Sequence, residues 1–251
     1  MPAEGLIAAA RRAGVGALGS GVVLGAAYWR YMSPYSQALG RFPYRADPPA
    51  PKTVALTFDD GPNEPYTSQL AQFLEERAIL ATFFQVGRCV LRHPGITASL
   101  AQAGHVIGNH SYSHQFTRCW TRVALTHEIA RAQEVITAEC GRVPALYRPP
   151  WLARTPETFD LLREQALQPV SGEFCHPLEP AQPSAERIAR RALAKVRPGA
   201  VIIFHDGYDG RGGPRAHTVE AVKIVVDRLS ERGYGFTTVD RLLGLTPYQE
   251  S

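Results

Sequence analysis

From about residue 52, short apolar runs alternate with longer stretches in which apolar residues recur at helical spacing. Such alternation is typical of β-α units around a parallel sheet. The pattern predicts seven strands, at residues 54–58, 81–86, 106–108, 145–148, 168–171, 200–204 and 235–239. It predicts five helices, at residues 66–78, 121–139, 156–165, 185–196 and 218–232. The predicted fold is therefore α/β, with seven parallel strands that suggest a barrel.

The first 32 residues depart from this alternation. Residues 13–29 carry no charge, and arginines lie on both sides of them. This arrangement is typical of a membrane-directed segment, and the five glycines within it would make a poor soluble helix. Residues 1–32 are predicted to be either a signal peptide, cut after the small residues 25–27, or an uncleaved anchor whose N-terminal arginines stay inside. Either alternative places the following domain outside the cytoplasm, secreted or membrane-anchored.

Residues 33–51 are predicted to be a proline-rich linker that leads into the domain. Five prolines between residues 32 and 52 disfavour a helix, because proline lacks the backbone N–H that a helix requires. The 251 residues, 45% of them hydrophobic, suffice for one well-buried domain with a short appendage. That domain is expected at residues 52–245.

The charge balance adds little about partners. The formal net charge is +4, and residues 1–32 supply half of it through three arginines and one glutamate. Because no block of clustered Lys and Arg with interleaved aromatics occurs, no nucleic-acid partner is expected. The four cysteines form no C-x-x-C pair, so a cysteine metal cluster is not expected. Disulfides and reduced, buried thiols are both open alternatives for them.

Two adjacent carboxylates follow the first predicted strand. Within a strand Asp59 and Asp60 would point to opposite faces, so they can share one pocket only if the strand breaks, and Gly61-Pro62 supplies the break. Two close carboxylates repel each other, so a cation on one and a proton-accepting role for the other would suit this arrangement. An ordinary polar turn at a strand end is the alternative.

His110 and His114 follow the third predicted strand. A spacing of four puts both imidazoles on one face of a helical turn, although eight histidines in the chain make such a pair weak evidence alone. Joined to a strand-end aspartate, they make an Asp-His-His set that leaves open positions for water and substrate, as hydrolytic metal sites require. Zinc is the first expectation, and cobalt, nickel or manganese also suit these ligands.

Two further polar side chains end predicted strands. Arg148 precedes a stiff two-proline turn, where it could keep a carboxylate ionised and aimed, or simply be a surface arginine. His205 ends the sixth strand, where it could protonate a leaving group or be a buried, hydrogen-bonded histidine. Parallel barrels build their active sites at the carboxyl ends of their strands, which is where all these side chains lie.

Taken in order, these motifs resemble the polysaccharide deacetylases with a NodB-homology domain, carbohydrate esterase family 4. The matching stretches are Thr57-Phe58-Asp59-Asp60-Gly61-Pro62, His110-Ser111-x-x-His114, Arg148-x-Pro150-Trp151 and His205-Asp206. The resemblance spans about residues 52 to 243. It implies a distorted (β/α)7 barrel of the NodB-homology type.

The resemblance also implies a divalent metal and a base. Asp60, His110 and His114 would be the metal ligands, and Asp59 would be the general base. Arg148 would orient Asp59. The chain would then be a metal-dependent hydrolase that acts on linear amides.

The resemblance further implies an acid and a substrate-binding set. His205 would be the general acid that protonates the departing amine. The backbone N–H of Trp151 would help to hold the oxyanion, and Ile203 falls where the family has an apolar residue that lines the acetyl-methyl pocket. The substrate-binding residues are then expected to be Pro150, Trp151 and Ile203.

Two stretches depart from the family pattern. Relatives often carry an Asp-Trp pair after the fifth strand, where the Asp supports the catalytic His and the Trp lines the cleft, but residues 172–176 read Gly-Glu-Phe-Cys-His here. Phe174 is a candidate for the aromatic wall, while the support of His205 is left open. Leu152 also occupies a position where many relatives have glycine.

The expected function is removal of N-acetyl groups from amino sugars of a polysaccharide, with cell-wall peptidoglycan or a chitin-like glycan as first choice. Deacylation of a lipid-linked sugar and a catalytically silent glycan-binding relative are the alternatives. A silent relative is expected to lack the base or the acid, yet Asp59 and His205 are both present. The expected partner is an N-acetylated glycan, together with the membrane if the N-terminal segment is retained.

Overall fold

The computed structural model describes residues 23–47 and 51–250. The strands found there are β1 Thr53–Asp59, β2 Thr82–Gln85, β3 Val106–Asn109, β4 Leu146–Tyr147, β5 Gln168–Pro169, β6 Glu173–Phe174, β7 Val201–His205 and β8 Gly235–Thr237. All pair in parallel within one sheet, in the order β5-β4-β3-β2-β1-β7-β6, and β8 pairs with the first half of β1. The sheet curls into a partial barrel with helices outside it.

The helices follow the strands along the chain. They are α1 at 23–32, α2 Tyr66–Glu76, α3 Gly87–Arg92, α4 Ile96–Gln102, α5 Arg122–Cys140, α6 Pro156–Glu164, α7 Ala185–Lys195, α8 Ala216–Glu231 and α9 Val239–Leu243. Three short 3-10 helices span Phe116–Cys119, Pro150–Leu152 and Glu179–Ala181. The longest helix, α5, begins where the Thr121 side chain accepts a hydrogen bond from the Ala124 N–H and ends at Gly141 in a left-handed conformation.

Each of the seven predicted strands and five predicted helices overlaps an observed element, and the curled parallel sheet confirms the predicted fold class. Within the barrel, the strands and α-helices that the sequence pattern did not predict are β6, α3, α4 and α9. These have two to seven residues. Segments this short show too little periodicity to be recognised without their tertiary contacts.

Alternate residues of β1 face two different environments. Leu56 and Phe58 belong to the large core between the sheet and the outer helices, where Phe58 stacks on Phe83 with ring centroids 4.9 Å apart. Ala55 belongs to a smaller core inside the curl of the sheet. Because side chains alternate along a strand, Asp59, which is four residues beyond Ala55, shares that inner side at the carboxyl end of the barrel.

Residues 33–47, which precede the barrel, join one edge of its sheet to β7, the strand next to the opposite edge. The Pro43 carbonyl accepts a hydrogen bond from the Ser171 N–H just after β5, and the Tyr44 carbonyl accepts one from the Val201 N–H in β7. The Ser171 hydroxyl donates to the Pro34 carbonyl at 2.8 Å. The segment that the sequence predicts as a linker therefore packs against the sheet of the barrel.

Two buried side chains fix this segment in place. The Arg154 guanidinium donates to the carbonyls of Ser33 and Ser36, both at 2.8 Å. Phe42 is fully buried and packs with Leu152 and Ile203. Apolar burial and buried hydrogen bonds thus both tie this segment to β7 and to the loop that follows β4.

Most of the predicted membrane-directed segment, up to residue 22, lies outside the described residues. Residues 23–32 are helical and expose the side chains of Val23, Leu24, Tyr28 and Trp29. Within residues 23–47 and 51–250, no helix is both long and apolar enough to cross a membrane. The four cysteines are free thiols in the structure, which agrees with the reduced form and not with disulfides.

Replacing Phe42 by alanine is expected to lower the free energy of unfolding by about 3 to 5 kcal/mol, because it leaves a cavity against Leu152 and Ile203. Urea denaturation followed by circular dichroism measures this difference. Phe116→Ala is the control, because that ring is 43% exposed and its loss is expected to cost about 1 kcal/mol or less. Equal losses for the two variants would contradict the structural role of Phe42.

Candidate active site

A cavity of about 450 Å³ opens at the carboxyl ends of the parallel strands. Its lining combines titratable groups with apolar and aromatic walls. The titratable side chains are Asp59, Asp60, His110, His114, His176, His205 and Asp209. The walls are Tyr28, Pro149, Trp151, Leu152, Phe174, Pro177, Pro180 and Tyr208. A concave site of this kind is the usual setting for catalysis.

The strand break predicted after Asp59 brings two carboxylates into one cavity. Strand β1 ends at Asp59, and Asp60 adopts a left-handed backbone with φ of 75°. The next residue must be glycine, because a Cβ on Gly61 would lie 2.0 Å from the Asp206 carboxylate. Both carboxylates are therefore buried in the same pocket, at 3% and 4% exposure.

Three candidate ligand atoms meet at one point in this cavity. The Nε2 atoms of His110 and His114 lie 3.3 and 3.0 Å from Asp60 Oδ1. One ligand atom from each of the three residues falls within 4.8 Å of the other two, and all three residues are buried. The predicted Asp-His-His set is thus assembled in space.

The helical turn expected for the two histidines is not what brings them together. Residues 110–115 form a loop in which Ser111 and His114 have φ of 66° and 54°. Side chains replace the helical hydrogen bonds: the Asn109 carboxamide oxygen accepts from the Ser111 N–H, and buried Glu128 accepts from both the N–H and the hydroxyl of Ser113. Such local side-chain bonds compete with helix formation, so the spacing was informative but the expected helix was wrong.

The outer nitrogens of both rings are already engaged. His110 Nδ1 lies 2.7 Å from the Arg148 carbonyl oxygen, which can only accept, so that nitrogen carries the proton. His114 Nδ1 lies 2.9 Å from Asp209 Oδ1 and donates to it in the same way. In the neutral rings the Nε2 lone pairs then face Asp60 Oδ1, a buried oxygen that has no hydrogen-bond partner among the described residues. Three acceptors around one point fit a cation.

The electrostatics of the protein side chains favour positive charge at the same point. Burial lowers the pKa of His114, but the carboxylates of Asp60 and Asp209 outweigh it and raise that pKa to about 9. Burial raises the pKa of Asp60, yet the close side chains of His114 and His110, where they carry a proton, bring it well below its usual value. A divalent cation would satisfy this excess of negative charge without a proton.

Arg148 holds the other carboxylate. Its guanidinium is fully buried and donates to Asp59 Oδ1 at 2.6 Å. The remaining N–H groups donate to the Thr57 hydroxyl and to the carbonyls of Val170 and Ser171, so the group has little freedom to move. Arg148 is therefore not a surface arginine, and it fixes one oxygen of Asp59 through a charge-assisted hydrogen bond.

His205 lies at the end of β7 with a carboxylate behind it. Its Nδ1 is 2.6 Å from Glu179 Oε2, and Glu179 itself is fully buried and accepts a second hydrogen bond from Thr218. Burial lowers the pKa of His205, but the carboxylates of Glu179, Asp60 and Asp59 overcome this effect and raise it to about 9. At neutral pH the imidazole is thus protonated and could donate a proton to a ligand in the cavity.

Aromatic rings border the site on two sides. The Trp151 ring lies 4.2 Å from the His114 ring, and Phe174 stacks nearly parallel to His205. Leu152, where many relatives have glycine, has φ of 56° and buries its side chain against Phe42. Of the predicted substrate-binding residues, Trp151 lines the cavity, whereas Pro150 and Ile203 are buried just beyond its lining.

Two site residues were not predicted from the sequence. Glu179 lies 26 residues before His205 in a proline-containing loop, and nothing in the local pattern distinguishes it from a surface glutamate. Asp209 binds His114 through its carboxylate and donates its N–H to Asp60 Oδ2 at 2.8 Å. Its position just after the His205 motif is the one signal that could have suggested it.

The sequence profile described as polysaccharide deacetylase matches residues 46–170. A chitooligosaccharide deacetylase of Azorhizobium caulinodans is 33% identical over 191 residues, which cover 72% of this chain and 90% of the relative. The chain belongs to the polysaccharide deacetylase family. A peptidoglycan-N-acetylglucosamine deacetylase of Bacillus cereus is 31% identical over 193 residues, covering 76% of this chain and 88% of the relative.

Among solved structures, a family 4 acetyl xylan esterase from Clostridium thermocellum with a bound cobalt ion has a TM-score of 0.69 and 33% identity. The match covers 77% of this chain and 93% of that one. These findings confirm the predicted family, fold and enzyme class: this chain is a polysaccharide deacetylase of carbohydrate esterase family 4.

Removing ligand or supporting groups should weaken divalent-metal binding to this polysaccharide deacetylase to different extents. His114→Ala is expected to abolish binding of zinc or cobalt, because only two protein ligands, Asp60 and His110, remain. Asp209→Asn is expected to weaken it about 10- to 100-fold, because the partner of His114 Nδ1 loses its charge. Equilibrium dialysis with metal analysis measures both, with His127→Ala on the exposed face of α5 as the control. Unchanged binding in His114→Ala would exclude the proposed ligand set.

Proposed function

We propose that this chain hydrolyses N-acetyl groups on amino sugars of cell-wall peptidoglycan or a chitin-like glycan outside the cytoplasm. The observation that carries the proposal is the pairing, within one cavity, of an arginine-held carboxylate with a carboxylate-held histidine beside an Asp-His-His set. Relatives named as peptidoglycan and chitooligosaccharide deacetylases support the choice of substrate.

Asp60, His110 and His114 would hold a divalent metal, with zinc as the first choice and cobalt, nickel or manganese as alternatives. The bound cobalt of the acetyl xylan esterase supports this assignment. When bound, such an ion polarises a carbonyl oxygen and lowers the pKa of water. A set of three protein ligands would leave positions open for water and substrate.

Asp59 would act as the general base. Arg148 occupies one of its oxygens at 2.6 Å, so the other oxygen is left to accept a proton from an attacking water. The buried guanidinium also compensates the charge of Asp59 at contact distance, so this carboxylate is not left as an unpaired buried charge. Arg148 is thus a positioning residue, and its own carbonyl orients His110 at the same time.

His205 would act as the general acid. Because Glu179 occupies Nδ1, the remaining ring proton is on Nε2, and that is the proton available for the departing amine. Glu179 both orients the ring and keeps it protonated, which is the support that the family's Asp provides in other members. The rings of Trp151 and Phe174 would contact the sugar on two sides. The backbone N–H of Trp151 would help to stabilise the oxyanion.

A lipid-linked sugar is a second candidate substrate, and the place of α1 favours it. Tyr28 of this helix lines the catalytic cavity, and the uncharged stretch at residues 13–29 runs into the same helix. If that stretch anchors the protein, the cavity would lie close to the membrane surface. Acetate release from a detergent-solubilised lipid-linked amino sugar, compared with release from soluble oligomers, separates the two substrates.

Acetate release by the full chain from chitin oligomers and from peptidoglycan tests the proposed reaction directly. Activity should require zinc or cobalt and disappear with chelator. Asp59→Asn is expected to lower turnover about 100- to 10,000-fold because the base is lost, while metal stays bound because Asp59 is not a ligand. Retained activity in this variant would overturn the mechanism, and metal-loaded protein inactive on every glycan would favour the silent-relative alternative.

The pH profile should report the Glu179 contact. His205 must be protonated to act as an acid, so kcat is expected to fall as pH rises through its pKa of about 9. Glu179→Gln removes the charge that raises this pKa, so the alkaline limb should move down by about one to two pH units. Glu173→Gln, a half-buried glutamate on β6, is the matched control and should leave the limb in place. An unmoved limb in Glu179→Gln would show that its contact with His205 does not set the acid's pKa.

A further inference from the structure

A second groove, of about 260 Å³, carries a concentration of positive charge. It is lined by His176, Arg187, Arg190, Arg191 and Ala194, and we call it the basic groove. The three arginines lie on α7, and each is exposed. Three guanidinium groups within five residues of one helix produce a local field that attracts anions.

These arginines are not used to hold the fold. None of the three forms an ion pair with any residue in the described part of the chain, unlike the exposed arginines at positions 122, 131 and 228, which pair with glutamates. The one acidic residue on α7 is Glu186, and the nearby Glu173 is half-buried beside Lys195. Positive charge in the basic groove is therefore in excess and free to meet a ligand.

The basic groove adjoins the catalytic cavity through one residue. His176 lines both spaces, so the two are neighbours on the protein surface. His176 Nδ1 accepts a hydrogen bond from the Leu178 N–H at 3.0 Å. Burial and the charges of Arg187, Arg191 and Lys195 lower the pKa of His176, so the ring is neutral near pH 7 and has its proton on Nε2 as one more donor.

We propose that the basic groove binds a carboxylate or phosphate group of the glycan substrate, carried by a unit next to the one that is deacetylated. The inference rests on the proposed deacetylase function and adds the charge of the preferred substrate. Guanidinium groups bind both anions in a bidentate manner, and a neutral glycan offers them no such partner. The position of the groove next to the catalytic cavity favours a glycan over a membrane surface as the source of the anion.

The test compares a variant with all three groove arginines replaced, R187Q/R190Q/R191Q, with wild type on three oligosaccharides. These are neutral chitotetraose, a peptidoglycan oligosaccharide with lactyl carboxylates, and a phosphorylated chitooligosaccharide. The variant is expected to raise KM about tenfold for at least one anionic substrate, with kcat and the chitotetraose constants unchanged. The substrate that responds identifies carboxylate or phosphate as the anion. Added salt should raise the wild-type KM for that substrate and have little effect on the variant.

The control variant is R122Q/R131Q/R163Q on α5 and α6, which changes net charge equally at exposed positions. An equal rise in KM in this control would indicate general attraction rather than a site, and an unchanged KM in the groove variant would equally overturn the proposal. Loss of binding to anionic lipid vesicles with unchanged KM would assign the groove to a membrane instead.

If wild type releases no acetate at all, calorimetric titration with the same anionic oligosaccharides still tests the proposal. Weaker binding in the groove variant supports the site, and equal binding overturns it.

Discussion

The buried guanidinium of Arg148 is the contact on which the active face depends. It joins the end of β1 to the chain after β5 by donating to Asp59 and to the carbonyls of Val170 and Ser171. Its own carbonyl accepts the proton of His110, so one residue sets the geometry of both the proposed base and a proposed metal ligand. Loss of either partner in a buried pair leaves an uncompensated charge, typically at a cost of about 3 to 5 kcal/mol. Structure and chemistry at this face are therefore difficult to separate by mutation of Arg148 alone.

The chain before the barrel extends this dependence. Ser171, whose carbonyl accepts from Arg148, donates its hydroxyl to Pro34 and its N–H to Pro43. Phe42 from the same segment packs on Leu152, whose left-handed backbone would suit glycine better. Burial of the Leu152 side chain offsets that backbone strain, so the departure from the family pattern at this position and the packing of the N-terminal segment belong together.

The sequence could predict those parts of the site that are local. Asp59, Asp60, His110, Arg148 and His205 all end strands or follow them closely, and parallel strands must bring their carboxyl ends to one face. Glu179 could not be predicted, because its contact with His205 depends on how a loop without a recognisable pattern folds across β7. The prediction of a helical turn at His110 and His114 was wrong for a similar reason. Buried Glu128, from α5, fixes the conformation of that loop through its hydrogen bonds. Short-range periodicity carries no information on such contacts.

The distribution of charge explains why the site needs a supporting carboxylate from so far along the chain. Arg148 compensates the charge of Asp59, whereas Asp60 faces the Nε2 atoms of His110 and His114, whose Nδ1 atoms are already engaged. Burial first, and then the charges of Asp60 and Asp59, raises the pKa of Asp206 to about 7 despite its hydrogen bond from Thr67. A protonated His205 offsets part of the negative charge in the pocket. Burial by itself lowers the pKa of this imidazole and so favours loss of its proton. Glu179 supplies the compensating charge behind the ring, outside the cavity lining, so it holds the proton without competing for the metal site or the substrate.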